Sequence, residues 1–230
     1  MSTEHNMQPI AKIYTDFPEK FGLPRQSGLV PELRGKVVFE PPFRDPAAVR
    51  GLEAYTHIWL LWLFSESPVG RFMPTVRPPR LGGNKRMGVF ATRSPNRPNP
   101  IGLSAVRLES ICLDKKLGPV ISVSGIDMLN RTPILDIKPY LGFADSHPEA
   151  VCGFADEHRD EKLCVKFTQS AANVLPEKVQ GELCAILAED PRPHYQNDPE
   201  RIYGFTYCGL EISFKVENGL LTVLNAEKII

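Results

Sequence analysis

Apolar and polar positions alternate along most of the first two thirds of the chain, and this pattern predicts strands. The most apolar run, HIWLLWLFS at 57–65, has no polar face and is typical of a central strand. One helix is expected before it, because Asp45-Pro46 provides an N-cap and a first-turn proline, followed by apolar Ala48, Leu52 and Tyr55. The predicted strands lie at 11–17, 35–40, 57–65, 87–93, 101–113, 119–127 and 132–140.

The sequence becomes polar near 145–165, and a smaller unit is expected beyond this boundary. A strand is predicted at 162–168, and a helix at 179–190, where apolar positions recur at helical spacing. Asn218-Gly219 stands between two alternating runs and predicts a hairpin. Many strands with few crossover helices favour a mainly β chain of the α+β class. We expect a small β-barrel-like N-terminal domain at 1–150 and a small α+β C-terminal domain at 160–230.

The composition, with 42% hydrophobic and 23% charged residues, is that of a globular protein. Five scattered cysteines without a CxxC pair favour free thiols in a reducing compartment and offer no zinc-ligand spacing. The N-terminus lacks the features of a signal peptide, and the longest apolar run is far shorter than the about 18 residues of a membrane span. These features predict a cytoplasmic protein without a membrane anchor or a metal.

The formal net charge is zero, but the charges are distributed unevenly. No Asp or Glu occurs between Glu66 and Glu109, although this interval holds eight basic residues. Arginine, which dominates the set, can grip phosphate with two parallel hydrogen bonds, so the block favours a nucleic acid or a nucleotide as partner. The alternative is a basic face that pairs with the acidic last third of the same chain.

The usual motifs of nucleotide-binding and hydrolytic enzymes are missing. No GxGxxG, GxSxG or HExxH occurs, and LGGNKRMG at 81–88 lacks the spacing of a P-loop. The histidines are dispersed, and His57 is interpreted as a structural side chain rather than a base. Five irregular segments between the strands remain, and four of them contain arginine. Turns require Gly, Pro, Asn and Asp but not Arg, so this recurrence indicates one anion-binding site.

The segment RSPNRPNPIGLS at 93–104 is too rich in proline for a helix or a sheet, and by itself fits a binding loop and a connector equally well. Together with PRQSGLV, HIWLLWLF, RPPRLGG, DIKPYL and EDPRPHY, it resembles the TsaA-like TrmO tRNA methyltransferases, from Tyr14 to about Tyr195. The resemblance implies a small β-barrel that binds S-adenosylmethionine without a Rossmann domain. It also implies a homodimer, with the cofactor near the subunit interface.

The reaction implied by the resemblance is methylation of the N6 nitrogen of threonylcarbamoyladenosine at position 37, beside the anticodon of threonine tRNA. Cofactor contacts are implied in the PRQ turn, after the central strand, at both ends of RSPNRPNPIGLS and in the loop before TPILDIKPY. These contacts are Pro24, Arg25, Gln26, Ser65, Glu66, Arg93, Leu103, Met128, Leu129, Asn130 and Arg131.

Two pairs depart from the family pattern. Relatives often carry His-Gln where this chain has Ser65-Glu66, and Asp-Gly where it has Asn130-Arg131. A carboxylate at Glu66 can accept hydrogen bonds from the ribose or the amino group of the cofactor. Contacts made by the main chain survive either change.

Methyl transfer from a sulfonium requires mainly alignment, but the urea-like target nitrogen is a poor nucleophile. Asp136 and Tyr140 are the candidates for removing its proton, and Lys138 can tune either. The target base must leave the anticodon-loop stack, and the basic block is expected to grip phosphates around it. The RNA-binding candidates are Arg71, Arg77, Arg80, Lys85, Arg86 and Arg97.

Two alternatives stay open. The chain could be an RNA-binding module of this fold without catalysis, or a methyltransferase of the same fold that acts on another substrate.

Overall fold

The computed structural model describes residues 6–67, 72–78, 85–158, 162–192 and 198–229. Contacts within the chain separate it into two compact units. The first comprises Met1–Thr15, Gln26–Gly70 and Pro95–Leu141, and the second comprises Asp16–Arg25, Arg71–Ser94 and Gly142–Ile230. Each unit therefore combines segments that are distant in sequence. The domain limits of 1–150 and 160–230 stay a prediction.

Six strands of the first unit form a closed barrel in which all neighbours are antiparallel. They are β1 (Ala11–Tyr14), β2 (Arg34–Phe39), β3 (His57–Leu63), β6 (Ile101–Asp114), β7 (Gly118–Ser124) and β8 (Thr132–Pro139). Their order around the barrel is β1-β2-β7-β6-β3-β8. The predicted fold class is therefore confirmed, and β3 pairs with a strand on each side, β6 and β8.

The alternation of β3 decides which of its side chains fill the barrel. Ile58, Leu60 and Trp62 point inward and are buried, whereas Trp59 and Leu61 are half-buried on the outer face. Aliphatic side chains from the other strands, such as Ile13, Val37, Val106, Ile121 and Ile134, complete the core. Burying each such side chain contributes about 1.5–3 kcal/mol, so the alternating pattern accounts for the stability of the barrel wall.

Two predicted elements of the first two thirds are wrong. The helix expected after Asp45 is replaced by two 3-10 turns, Pro46–Val49 and Leu52–Ala54, because Gly51 between them has a φ of 86° and breaks the helical path. Asp45 does cap the first turn, accepting a hydrogen bond from the main-chain N–H of Ala47 at 2.8 Å.

The strand predicted at 87–93 is also shorter than expected. Only β5 (Met87–Gly88) forms, paired with β4 (Thr75–Val76), and a 3-10 turn at Val89–Ala91 follows. The apolar run at 89–91 is therefore used in a turn whose first residue, Val89, is buried.

The second unit also contains a four-stranded sheet with the order β10-β11-β12-β9, in which β12 and β9 are parallel. Asn218 and Gly219 have φ values of 49° and 76°, which confirms the predicted two-residue hairpin. The strands and helices are α1 (Gly142–Asp145), β9 (Cys164–Phe167), α2 (Gln169–Val174), α3 (Glu177–Ala188), β10 (Tyr203–Tyr207), β11 (Leu210–Glu217) and β12 (Leu220–Lys228).

Helix α3 packs the face that its apolar spacing predicted, with Leu183, Ile186 and Leu187 buried. The same helix buries Glu182, whose carboxylate accepts a hydrogen bond from the Tyr207 hydroxyl at 2.9 Å. Burial and the neighbouring Glu182 carboxylate raise the pKa of Tyr207. The phenol therefore stays a donor, and the pair satisfies two polar groups inside the core.

Candidate functional site

Four of the segments predicted to contact a cofactor leave the barrel at the same end. At this end β1, β3 and β7 finish, and β2, β6 and β8 begin. The connections here contain Gln26, Ser65-Glu66 and Met128–Arg131, and Leu103 is the third residue of β6. We call this end the site rim, and the opposite end, where β6 turns into β7, the turn end.

The connection after β7 is tied to the loop that contains Gln26. The main-chain N–H of Gly28 donates to the carbonyl of Gly125 at 2.9 Å. Both glycines have positive φ values, 79° and 73°, which other residues adopt only with strain. The two loops are thus joined through the main chain, independently of the side chains that they present.

Further along the same connection, the side chain of Met128 is fully buried. Its carbonyl accepts a hydrogen bond from the Thr15 hydroxyl at 3.2 Å, and the Asn130 side chain accepts one from the Thr15 N–H at 3.3 Å. Any cofactor contact of Met128 must therefore come from its main chain. Asn130, at the position where the resemblance implies aspartate, helps to hold the loop against the end of β1.

Arg131, at the position where the resemblance implies glycine, has a φ of 65°, the left-handed conformation that glycine favours. The N–H of Arg131 donates to the carbonyl of Ile13 at 2.7 Å. The loop therefore makes this left-handed turn with an arginine and fixes it through the main chain.

The proline-rich segment is anchored to the end of β3. The N–H of Phe64 donates to the carbonyl of Pro100 at 2.8 Å, immediately before the exposed Ser65 and Glu66. Leu103 is 55% exposed, which is unusual for a large apolar side chain on a barrel strand. The rim thus offers an apolar platform beside exposed polar groups.

A buried polar chain, missed from the sequence, connects the barrel interior to the rim. The Trp62 Nε1–H donates to Ser104 Oγ at 2.9 Å, and the Ser104 hydroxyl donates to Asp127 Oδ1 at 2.6 Å. Trp62 lies directly over Gly102, where an added Cβ would overlap the indole ring. The signal in the sequence was the Gly-x-Ser at the start of β6, opposite a tryptophan that faces inward.

Asp136 lies on the outer face of the barrel, level with Leu103. Both pair with Leu61 of β3, from opposite sides, so they are two strand spacings or about 10 Å apart. The carboxylate of Asp136 accepts from the N–H of Ile137 at 2.9 Å and lies 3.0 Å from Lys138 Nζ. The structure therefore brings together two of the three predicted catalytic groups.

Tyr140 is not brought to the rim of its own barrel. It follows β8, and its N–H donates to the carbonyl of His57, at the turn end of β3. Eight residues separate it from Thr132 at the site rim, about 25 Å at strand spacing. Its ring packs on Trp59, with 5.4 Å between centroids, and on His57 at 6.1 Å. His57 Nδ1 also lies 3.0 Å from the Thr56 hydroxyl, and the structural role expected of this histidine stays a prediction.

The remaining cofactor candidates belong to the second unit. Pro24 is buried, Arg93 is exposed, and Arg25 donates from Nη2 to the carbonyls of Asp190 and Arg192, both at 3.2 Å. Arg192 in turn forms a two-point ion pair with Asp190, at 2.8 and 2.9 Å. The EDPRPHY motif therefore contributes to holding the arginine of the PRQ turn.

The basic candidates fall into three groups. Arg77, Lys85 and Arg86 flank the β4–β5 pair and are exposed, and Arg86 donates to the Thr75 hydroxyl at 3.0 Å. Arg97 belongs to the barrel unit and is half-buried. Arg71 and Arg80 lie outside the described residues.

Beside the β4–β5 pair, Phe72 and Phe90 are stacked at 6.3 Å although they are 49% and 70% exposed. The sequence showed both phenylalanines within the acid-free block, but only the structure shows that they are exposed. Within the described ranges no helix is long and apolar enough to cross a bilayer. Across those same ranges, no cluster of His, Cys, Asp or Glu has the arrangement of a metal site.

Comparisons with known proteins agree with this architecture. The profile of the tRNA-methyltransferase O N-terminal domain matches residues 12–146, and that of the TrmO C-terminal domain matches residues 160–229. The chain is 43% identical to a tRNA (adenine(37)-N6)-methyltransferase of Escherichia coli, over 87% of each protein. It is 42% identical to a putative S-adenosylmethionine-dependent methyltransferase of Pseudomonas aeruginosa, over 90% of this chain and 91% of the relative.

A crystal structure of TrmO from P. aeruginosa superposes with a TM-score of 0.81 at 35% identity, covering 100% of this chain and 99% of the other. The resemblance and the enzyme class that the sequence predicted are confirmed. The chain belongs to the tRNA-methyltransferase O family.

Proposed function

We propose that this protein transfers the methyl group of S-adenosylmethionine to the N6 nitrogen of threonylcarbamoyladenosine at position 37 of threonine tRNA. The proposal includes a cytoplasmic location and a homodimer. The observation that carries it is the identity with the E. coli tRNA (adenine(37)-N6)-methyltransferase along nearly the whole chain. The modified nucleoside, the tRNA and the dimer rest on the family resemblance.

The rim residues of the barrel fit S-adenosylmethionine. The cofactor has an apolar adenine face, several hydrogen-bond donors and a positive sulfonium. Leu103 offers an exposed apolar surface, and Glu66 an exposed carboxylate. Gln26, Ser65 and the main chain of Met128–Arg131 would complete the contacts in the barrel unit. Pro24, Arg25 and Arg93 are proposed as further contacts on the family resemblance.

When bound, the cofactor supplies an electrophilic methyl group, and the chain's own task is to align and activate the target nitrogen. Asp136 suits the role of proton acceptor because it lies about 10 Å across β3 from Leu103, within the span of one cofactor molecule. Lys138, whose Nζ lies 3.0 Å from the Asp136 carboxylate, can orient this group through the ion pair. Because Tyr140 lies at the turn end of its own barrel, it would contact a site rim only if that rim belonged to the second chain of a dimer.

The β4–β5 pair has the features of an RNA-binding element. Exposed Arg77, Lys85 and Arg86 can contact phosphates, and the exposed ring of Phe90 can stack on an unpaired base. Affinity for the anticodon stem-loop should therefore fall steeply as salt rises. Replacing the three basic residues with alanine should flatten that dependence by about two to three units of log–log slope.

The decisive experiment is mass spectrometry of tRNA nucleosides from a deletion strain, with and without the gene restored. We expect the methylated threonylcarbamoyl nucleoside to disappear on deletion and return on complementation. Its persistence in the deletion strain would reject the proposed activity. Purified threonine tRNA with and without the threonylcarbamoyl group then tests the finer substrate, because equal methylation of both would make the plain adenine the target.

The homodimer is tested separately by sedimentation equilibrium. A two-chain mass at micromolar concentration is expected, and a single-chain mass would reject it.

A further inference from the structure

We propose that the carboxylate of Asp127 binds a hydrogen-bond donor of the cofactor, and that Trp62 and Ser104 are the positioning residues that fix this carboxylate. The inference rests on the proposed function, because it concerns the same S-adenosylmethionine. It adds one binding residue and two positioning residues to those that the family pattern indicates.

The direction of the hydrogen bonds in this chain is determined by its chemistry. The indole of Trp62 can only donate, so Ser104 Oγ accepts at 2.9 Å. The single hydroxyl hydrogen of Ser104 is then directed to Asp127 Oδ1, at 2.6 Å. Trp62 is 7% exposed and Ser104 is fully buried, so water does not compete for the bond between them. The carboxylate is therefore held from inside the barrel by a neutral, correctly oriented donor.

Packing leaves this arrangement little freedom. The Trp62 indole lies against Gly102 on the neighbouring strand, in the space where any other residue would place its Cβ. Its ring also contacts Phe64, with 4.3 Å between centroids. Because the indole is confined, the Ser104 side chain cannot rotate without losing the hydrogen bond from Trp62 Nε1–H. The position of Trp62 therefore fixes the hydroxyl that orients the Asp127 carboxylate.

Asp127 stands at the right place for a cofactor contact. It directly precedes Met128–Arg131, and its partner Ser104 directly follows Leu103, so both neighbours in sequence are proposed cofactor contacts. Its side chain is only partly buried. A carboxylate has about four acceptor positions, so it can accept from more than one donor. Ionised, it attracts the donors of the cofactor and repels the cofactor's own carboxylate, so it also selects an orientation.

Two donor groups of the cofactor suit this carboxylate: the α-ammonium group and the ribose hydroxyls. Affinities measured by calorimetry for three probes separate them. S-adenosylmethionine and S-adenosylhomocysteine carry both groups, whereas 5′-methylthioadenosine has the ribose but no ammonium group.

We expect Asp127→Asn to weaken binding of S-adenosylmethionine and S-adenosylhomocysteine by about 10- to 100-fold, the usual effect of losing a hydrogen bond to a charged group. If the affinity of Asp127→Asn for 5′-methylthioadenosine is unchanged, Asp127 contacts the ammonium group. If that affinity falls as much as the affinities for the other two probes, Asp127 contacts the ribose. A variant that binds S-adenosylmethionine within about twofold of the wild type overturns the inference. If Asp127→Asn does not fold, Asp127→Glu serves instead, since its longer side chain cannot keep both contacts.

The positioning role needs a matched control, and the barrel provides one. The Ser124 hydroxyl donates to the Glu109 carboxylate at 2.6 Å, the same contact at the same distance as Ser104 with Asp127. We expect Ser104→Ala to raise the KM for S-adenosylmethionine about fivefold or more with a smaller effect on kcat, and Ser124→Ala to leave KM within about twofold. Equal KM values for the two variants would reject the positioning role.

Failure of the inference and failure of the proposed function give different results. A wild-type protein that binds neither S-adenosylmethionine nor S-adenosylhomocysteine contradicts the proposed function itself. A wild type that binds both, together with an Asp127→Asn variant of equal affinity, contradicts only the role of Asp127.

Discussion

The two ends of the barrel connect their strands by different means. At the turn end, Asp114 accepts hydrogen bonds from the N–H groups of Lys116 and Leu117, at 2.7 and 2.9 Å, and Arg44 donates to the carbonyls of Phe39 and Lys116. The two N–H groups lower the pKa of Asp114, which keeps it an acceptor. At this end, the side chains of Asp114 and Arg44 stabilise the turn between β6 and β7.

At the site rim, main-chain hydrogen bonds such as that between Gly28 and Gly125 join the connections, together with bonds made by the side chains of Thr15 and Asn130. Side chains such as Leu103 and Glu66 are left exposed. The comparison teaches that one end is specialised for stability and the other for presenting groups. Changes at the turn end should therefore alter the free energy of unfolding, and changes at the rim should alter binding and catalysis as well.

The largest effect is expected at Asp136. Asp136→Asn should lower the single-turnover rate of methyl transfer at least about 100-fold, because an amide cannot accept the proton. Tyr140→Phe, at the turn end, should cause a much smaller loss. Full rates in both variants would reject a protein base, and equally large losses would show that Tyr140 acts on the rim of a second chain.

Gly118 tests the turn end. It has a φ of 70°, and an added Cβ would lie 2.8 Å from the Cβ and the carbonyl oxygen of Arg44. Gly118→Ala should lower the free energy of unfolding by about 2–5 kcal/mol, combining left-handed strain with overlap. Gly51→Ala is the control, because Gly51 has a φ of 86° but open space around it, so only the strain of about 1–2 kcal/mol is expected. Urea unfolding measures both, and equal losses would contradict the overlap.

Gly102 provides the corresponding test at the rim. Gly102→Ala should displace the Trp62 indole and lower the free energy of unfolding by about 1–3 kcal/mol. Unlike Gly118→Ala, it should also weaken S-adenosylmethionine binding about tenfold in the folded protein, because Asp127 loses its support. Calorimetry at low temperature measures the affinity for S-adenosylmethionine. If Gly102→Ala leaves this affinity unchanged, the two ends do not differ in their effect on binding.

Arg131 sharpens the comparison because it is strained at the rim itself. Arg131→Gly should raise the free energy of unfolding by up to about 1 kcal/mol, since relief of the left-handed strain exceeds the added flexibility of glycine. Urea unfolding would detect the gain. A loss of stability would mean that the arginine side chain contributes contacts that outweigh the strain.

The smallest effect concerns pH. The hydroxyl of Ser124 is the main cause that lowers the pKa of Glu109 from its usual 4.5, with Arg107 contributing. Because the pKa of Glu109 is lower in the folded chain than in the unfolded chain, its ionised form stabilises the fold at any pH above the unfolded-state pKa. This stabilisation is lost as the pH falls through the folded-state pKa. The stability difference between the wild type and Ser124→Ala should therefore be smaller at about pH 3 than at about pH 7. Thermal unfolding at both pH values measures it, and a constant difference would contradict the assignment.

Much of the fold could be predicted because local patterns decide it. The alternating runs become the barrel strands within a few residues, and Asn218-Gly219 forms the expected turn. A second two-residue turn, Cys208-Gly209, was missed because cysteine seldom adopts a φ of 52°. Each compact unit combines segments that are distant in sequence, and local patterns do not indicate such contacts.

The site was predicted less completely, and β8 shows why. Strict alternation from the inward-facing Ile134 would turn Asp136 toward the core. Instead, the pairing with β3 shifts between Leu61 and Trp62, and this bulge brings Asp136 to the outer face beside Leu61. Similarly, the contact of Ser104 with Asp127 depends on the register in which β6 pairs with β7. Motifs identified the rim segments, but not the internal support that orients them.

The closing seam of the barrel also sets an order of events during synthesis. β1 and β8 are its first and last strands, and Ile13 pairs with Thr132. Pairings between distant segments form late, because the entropy of closing a long loop must first be overcome. A nascent chain cannot form this seam before β8 has emerged from the ribosome, whereas β6 and β7 can already form their hairpin. Since Arg131 is bonded to Ile13, the loop before β8 becomes ordered only when the seam closes, and a prematurely terminated chain that lacks β8 should be degraded with its barrel still open.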